Sequence, residues 1–156
     1  MADYMKLAER MAKSSDCRRK QTAAVIVREG IGKHIVGFNR LPIGIKEGFC
    51  DNCPREGKQP GQWNGECPVI HAEKTVILKA AQDGFQTDWA TMYCTYKPCL
   101  DCSILIVEAG MRKVIYRDEH DFNDGVDYLR KCGVEVERYQ ESDPIIKENP
   151  DEGEIE

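Results

Sequence analysis

VIHAEKTVILKAA, residues 69–81, decides how the rest of the chain is read. Val69, Ile70, Val76, Ile77, Leu78 and three alanines give it the apolar surface of a buried helix, which the pattern predicts over 70–82 and ending near Gly84. Its front carries His71, small Ala72 and Glu73. An imidazole and a carboxylate are costly to bury without partners. The partners are offered by a second stretch, TYKPCLDCSIL, residues 95–105. Pro98 suits the start of a helix, where its missing N–H is not needed. Cys99 and Cys102 are three apart, so both thiols share one side of the first turn of a helix over 99–109. The positive end of that helix favours thiolates. If the two helix starts meet, one imidazole and two thiolates converge on one point. Three such ligands with a fourth position open describe a catalytic rather than a structural zinc site. Glu73 then has work as a proton carrier beside an activated water. A four-cysteine ribbon from Cys50-x-x-Cys53 and Cys99-x-x-Cys102 is the structural alternative, and it leaves His71 and Glu73 unexplained.

Working outward, residues 2–14 have helical spacing, and TAAVIVREG and HIVGFN read as two strands joined at Gly30-Ile31-Gly32. Between Arg40 and Pro68 all periodicity is lost, which marks a long insertion of the kind that carries function or its own scaffold. TMYCTY (91–96), KVIY (113–116) and VEVERY (134–139) read as strands, alternating with helices over 99–109 and 122–132. That alternation predicts an α/β chain with a sheet covered on both faces. Residues 1–140 are read as a single domain with an insertion at 40–68, and 141–156 as an acidic flexible tail.

The chain has 156 residues, 41% apolar and 31% charged, as expected of a soluble globular domain. No apolar run reaches the roughly 18 residues of a membrane span. MADYMKLAERMAK reads as a surface helix rather than a signal peptide. The net charge of -5 is uneven: residues 141–156 hold seven acids and one lysine, leaving the body near +1. A near-neutral body argues against nucleic acid as a partner. Eight cysteines without a secretion signal point to a reducing, cytoplasmic compartment and to metal binding or burial rather than disulfides.

His71-Ala72-Glu73 followed by Pro98-Cys99-Leu100-Asp101-Cys102 resembles the H-x-E…P-C-x-x-C signature of zinc nucleobase deaminases. Over about residues 2–140 the element order is similar to that of the cytidine deaminase superfamily, whose fold is a three-layer α/β/α sandwich on a mixed five-stranded sheet. The likeness is closest to deoxycytidylate deaminases. SSDCRRKQTAAVIV resembles that family's first strand and its approach, VGFNRLPIG resembles its Gly-Tyr-Asn-Gly-x-Pro-x-Gly loop, and a long cysteine-bearing insertion precedes the H-A-E. TYKPC departs from the family's commoner Thr-Leu-Ser-Pro-Cys.

The resemblance implies hydrolytic deamination of dCMP to dUMP. His71, Cys99 and Cys102 would hold zinc and Glu73 would move protons to N3 and the leaving amine. The backbone near Ala72 would hold the C2 carbonyl, and Asn39 the sugar or base side. Lys97, Arg112, Arg117 and His120 are the candidates for the phosphate. Cys17 and Cys50 stand where some phage relatives have ligands of a second, structural zinc, which Cys53 and Cys67 would complete; Cys94 and Cys132 read as buried thiols. The resemblance further implies a homo-oligomer, a hexamer above all, with dCTP and dTTP as effectors bound with Mg²⁺ near residues 37–44. The alternatives are deamination of another cytosine nucleotide or nucleoside, or of tRNA adenosine, and a non-catalytic zinc-stabilised nucleotide-binding module.

Overall fold

AAVIV, Ala23–Val27 (β1), is apolar at every position because it is paired on both edges and covered on both faces. It runs antiparallel to His34–Phe38 (β2) on one side and to Thr91–Tyr96 (β3) on the other. Lys113–Asp118 (β4) and Glu135–Arg138 (β5) then add in parallel, giving a mixed five-stranded sheet in the order β2-β1-β3-β4-β5. The computed structural model describes residues 3–59 and 67–141. Apart from Glu141, the predicted tail lies outside the described residues, as does part of the insertion.

The two faces of the sheet form separate cores. Ala24 and Ile26 of β1 pack with Met92, Cys94, Val114 and Tyr116 under Ala72–Gln82 (α2), Leu100–Glu108 (α3) and Asp124–Lys131 (α4). Ala23 and Val25 face the other way, onto Ala8 and Ala12 of Tyr4–Ala12 (α1). The parallel pairs β3–β4 and β4–β5 need crossover connections, and α3 and α4 supply them. The result is the three-layer sandwich predicted from the sequence.

The helices start one or two residues later than the periodicity predicts. His71 and Cys99 are not helical: each is an N-cap with extended backbone, at φ -61°, ψ 151° and φ -73°, ψ 168° respectively. Pro98 accordingly stands one residue before the cap rather than inside the helix. KVIY extends to Asp118, whose carbonyl accepts from the Lys97 N–H at 2.8 Å.

The described part of the insertion has one 3₁₀ turn, Phe49–Asn52, and is held from two sides. Arg40 and Ile70 close its base through reciprocal backbone hydrogen bonds of 3.1 and 2.8 Å. Arg19 donates to the carbonyls of Arg55 and Lys58 at 2.7 and 2.8 Å, and Arg18 pairs with Asp51 at 2.7 Å. The charged segment before β1 is thus the strap that fixes a loop lacking an apolar pattern of its own.

Candidate metal centre and active site

The two caps meet. His71 Nδ1 lies 3.6 Å from Cys99 Sγ and 3.4 Å from Cys102 Sγ, and the three ligand atoms all lie within 4.8 Å of one another. An N-cap residue leaves the helix axis with its side chain free, so two helix starts facing each other deliver ligands without bending either helix. Cys102 adds the third from one turn further along α3. Gly125 at the start of α4 lets this turn sit close: a Cβ there would stand 2.3 Å from the Pro98 carbonyl oxygen and 2.7 Å from the Cys99 carbonyl carbon.

The electrostatics suit a cation. The Cys102 thiol donates to Cys99 and, with His71, brings the Cys99 thiol down to about 4, while the negative Cys99 and burial push Cys102 up. His71 is raised by its bond to Cys99, against its own desolvation. A bound dication would deprotonate both thiols outright. One imidazole nitrogen and two sulfurs form a donor set that fits zinc, with three protein ligands and a fourth position open.

Glu73 stands in the first turn of α2, 7% exposed. Burial pushes its carboxyl up, and the neighbouring His71 opposes the shift only in part. A carboxyl displaced toward neutrality is suited to taking up and returning a proton. Ala72 is buried beside it, and its N–H belongs to the helix's first turn, which has no intrahelical acceptor.

His71, Glu73 and Cys99 line a cavity of about 670 Å³ together with Asn39, Lys97 and His120. Asn39 is buried, and its amide ties the approach to β1: Oδ1 accepts from the Thr22 N–H at 3.0 Å and Nδ2 donates to the Lys20 carbonyl. One amide hydrogen and one lone pair remain for a ligand. His120 also spends its ring on the backbone. Nε2 donates to the Lys97 carbonyl at 3.2 Å and Nδ1 accepts from the Phe122 N–H at 3.1 Å, which specifies the neutral ring. Burial and the adjacent Lys97 lower its pKa in the same sense.

Two of the four phosphate candidates lie elsewhere. Arg112 precedes β4, at the end of the sheet away from the caps, and pairs with Glu29 at 2.8 Å. Arg117 has the opposite parity to Val114 and Tyr116, so it meets Glu9 of α1 and forks onto Asp118. The cavity instead contains Arg19, Lys20 and Arg55, which periodicity does not single out. The run RRK at 18–20 was the available signal; Arg55 had none.

Cys17, Cys53 and Cys67 line the same cavity. Burial raises the Cys50 thiol, and Cys17, Cys67 and Cys53 add to the shift, so all four are neighbours. No three of their sulfurs come within 4.8 Å of one another among the described residues. Cys94 is buried as predicted; Cys132 is exposed, because it caps α4 at the surface.

Comparison with known proteins follows the same lines. The family described as "cytidine and deoxycytidylate deaminase zinc-binding region" matches residues 1–118. The deoxycytidylate deaminase of Enterobacteria phage T4 is 44% identical over 169 aligned positions, covering 85% of this chain and 86% of the phage protein. The deoxycytidylate deaminase of Saccharomyces cerevisiae is 31% identical over 137 residues; the match covers 87% of this chain but 43% of the yeast protein, so the chain spans less than half the length of that relative. The dCMP deaminase of cyanophage S-TIM5, solved in complex with dCMP and dUMP, superposes with a TM-score of 0.74 at 35% identity, over 87% of this chain and 93% of the phage chain. The chain therefore belongs to the cytidine and deoxycytidylate deaminase zinc-binding family.

Proposed function

We propose that the chain is a zinc hydrolase that converts dCMP and water to dUMP and ammonia. The observation that carries this reading is Glu73, buried in the same cavity as the His71, Cys99 and Cys102 cluster. His71, Cys99 and Cys102 would hold the metal. Bound zinc would lower the pKa of a water in the open position to about 7. Glu73 takes a proton from the attacking water and passes it to N3, then takes the second proton from the hydroxyl now on C4 and passes it to the C4 amine, which leaves as ammonia as the C–N bond breaks and the C4 carbonyl forms. The Ala72 N–H holds the C2 carbonyl, and the remaining amide hydrogen or lone pair of Asn39 meets the sugar or base edge. The likeness to phage deoxycytidylate deaminases supports dCMP over other cytosine substrates.

Ammonia release by the zinc-loaded protein from cytidine, CMP, deoxycytidine, dCMP and dCTP tests the reading, with Glu73→Gln alongside. Turnover is expected to favour dCMP and to fall about 10³-fold in the variant, with zinc and fold kept. Bound zinc without turnover of any cytosine would favour the nucleotide-binding module instead.

The same reading includes assembly and regulation. Leu100, Ile104 and Leu105 are exposed along α3, which supports association of copies, a hexamer by likeness to the family. Effector binding of dCTP or dTTP with Mg²⁺ rests on the likeness of residues 37–44. All eight cysteines are free, which supports a reducing compartment such as the cytoplasm. The shared neighbourhood of Cys17, Cys50, Cys53 and Cys67 supports a second, structural zinc, to be tested by whether the metal content is two per chain or one.

A further inference from the structure

We propose that Arg55, brought into the cavity by the insertion, binds the 5′-phosphate of the nucleotide together with Lys20 and Lys97, and that this clamp selects a monophosphate over the bare nucleoside. The inference rests on the deaminase reading above and adds to it a specificity element outside the metal centre.

The charge of the cavity is the first ground. Among the described residues it is lined by Arg19, Lys20, Arg55 and Lys97 against a single carboxylate, Glu73, which the chemistry occupies. This is in a chain with 27 acids and 22 bases. Elsewhere several cations find acids, Arg18 with Asp51, Lys74 with Asp101, Arg112 with Glu29 and Arg117 with Glu9, while Arg28, Arg40 and Lys79 bond neutral oxygens singly rather than in a cluster. Among the described residues, none of the four cavity cations forms an ion pair with a carboxylate. Such a concentration of unpaired charge is suited to an anionic ligand.

The partners of each cation decide which are available. Arg19 is spent, since it donates to the backbone carbonyls of Arg55 and Lys58 and so holds the insertion in place. It is a positioning residue. Lys97 is 4% exposed and has only a neutral partner, Asn123 Oδ1 at 2.7 Å. A buried ammonium without a countercharge is unfavourable unless an anion completes its surroundings. Lys20 Nζ lies 3.3 Å from the centroid of the Tyr96 ring, which holds it against the cavity wall. Arg55 Nε is buried with no hydrogen-bond partner. A guanidinium edge left unsatisfied beside a cavity fits a phosphate, whose oxygens accept from two N–H groups at once.

The test compares dCMP with deoxycytidine on the zinc-loaded protein. Arg55→Ala should raise KM for dCMP about 10- to 100-fold, the value of a lost charge-assisted bond, and reduce the kcat/KM preference for dCMP over deoxycytidine by a similar factor. Arg55→Lys should fall between, because it keeps the charge and loses the fork. Arg112→Ala removes an equal charge at the far end of the sheet and should keep the preference. The latch from Arg19 uses the backbone carbonyl of Arg55, so substitution leaves it in place; Arg55→Gln, with a similar volume, checks for collapse of the loop. Calorimetric binding of dUMP and deoxyuridine makes the result independent of turnover. Wild-type protein that binds dUMP more tightly than deoxyuridine, with the difference lost in Arg55→Ala and Arg55→Gln, supports the clamp even if the deaminase reading fails. Equal loss for dUMP and deoxyuridine, or no loss for either, overturns it.

Discussion

The front face of the sheet is covered by α2, α3 and α4, whereas the back is covered by α1, which packs on β1, β2 and β3 and reaches β4 through the Glu9–Arg117 ion pair. Where β4 and β5 show the front Val114, Tyr116 and Val136, they show the back Lys113, Glu135 and Glu137 around one half-buried apolar residue, Ile115. The contrast follows from what each face must hold. The front carries two helix caps whose side chains have to meet within a few ångströms, and close-packed apolar contacts transmit position without slack. The back has no such task beyond the first three strands, and exposed charge suffices there.

The largest effects are therefore expected at the front. Ile106 is fully buried in α3, below the ligand-bearing turn. Ile106→Ala should cost about 3 kcal/mol, measured by urea unfolding, because the rigid surroundings close only part of the cavity. Gly125→Ala should come next, at about 2 kcal/mol, the usual cost of overpacking. Its signature is different. The new Cβ must displace the backbone of Pro98 and Cys99, so zinc affinity should fall more than stability does. Zinc retention against a chelator, set beside the urea midpoint, separates the two variants. Equal metal affinity in both would break the link between packing and ligand position.

How much of this was legible beforehand depended on whether local chemistry or tertiary contact decided it. His71, Cys99 and Cys102 could be placed because helix starts are written locally, in proline, small residues and the onset of apolar spacing. The double burial of β1 showed in its unbroken apolar run. The phosphate candidates were harder. Arg112 and Arg117 are close in sequence to the right strand, but the end of a strand and the parity of a residue determine where it goes, and parity sends Arg117 to α1. It could have been excluded by counting from Val114 and Tyr116. Arg55 could not have been found, because its position depends on Arg19 reaching across to the loop's carbonyls.

Asp3 links the two ends of the back face. Its carboxylate caps α1 by accepting from the Lys6 N–H at 3.1 Å, and it accepts from the Tyr139 hydroxyl at 3.1 Å. Burial raises this carboxyl, but the bonds from Lys6 and Tyr139 outweigh it and hold it below its ordinary value of 3.8. A group whose pKa is depressed on folding stabilises above its unfolded value, and the contribution is lost as pH falls through the folded value. Asp3→Ala should thus cost about 1 kcal/mol at pH 7, and the gap from wild type should narrow in urea titrations below pH 4.

Lys113 should matter least. It bonds Glu135 and Glu137 at 3.1 and 2.8 Å, with partner side chains 61% and 51% exposed. Burial lowers the lysine and the two carboxylates raise it further, for a net rise, so any stabilisation is present at neutral pH and lost as pH climbs through the folded value, above 10.5. Exposed pairs are screened and cost side-chain entropy, and an apolar replacement of similar length removes the desolvation cost of the ammonium. Lys113→Met should move Tm by less than about 2 °C at low salt, and the difference should vanish or change sign at about 1 M NaCl. A loss as large as that of Ile106→Ala, insensitive to salt, would mean that the back of β4 is held as tightly as the front. The contrast between the faces would then owe nothing to the helix caps, and the apolar layer over β4 and β5 would need another cause.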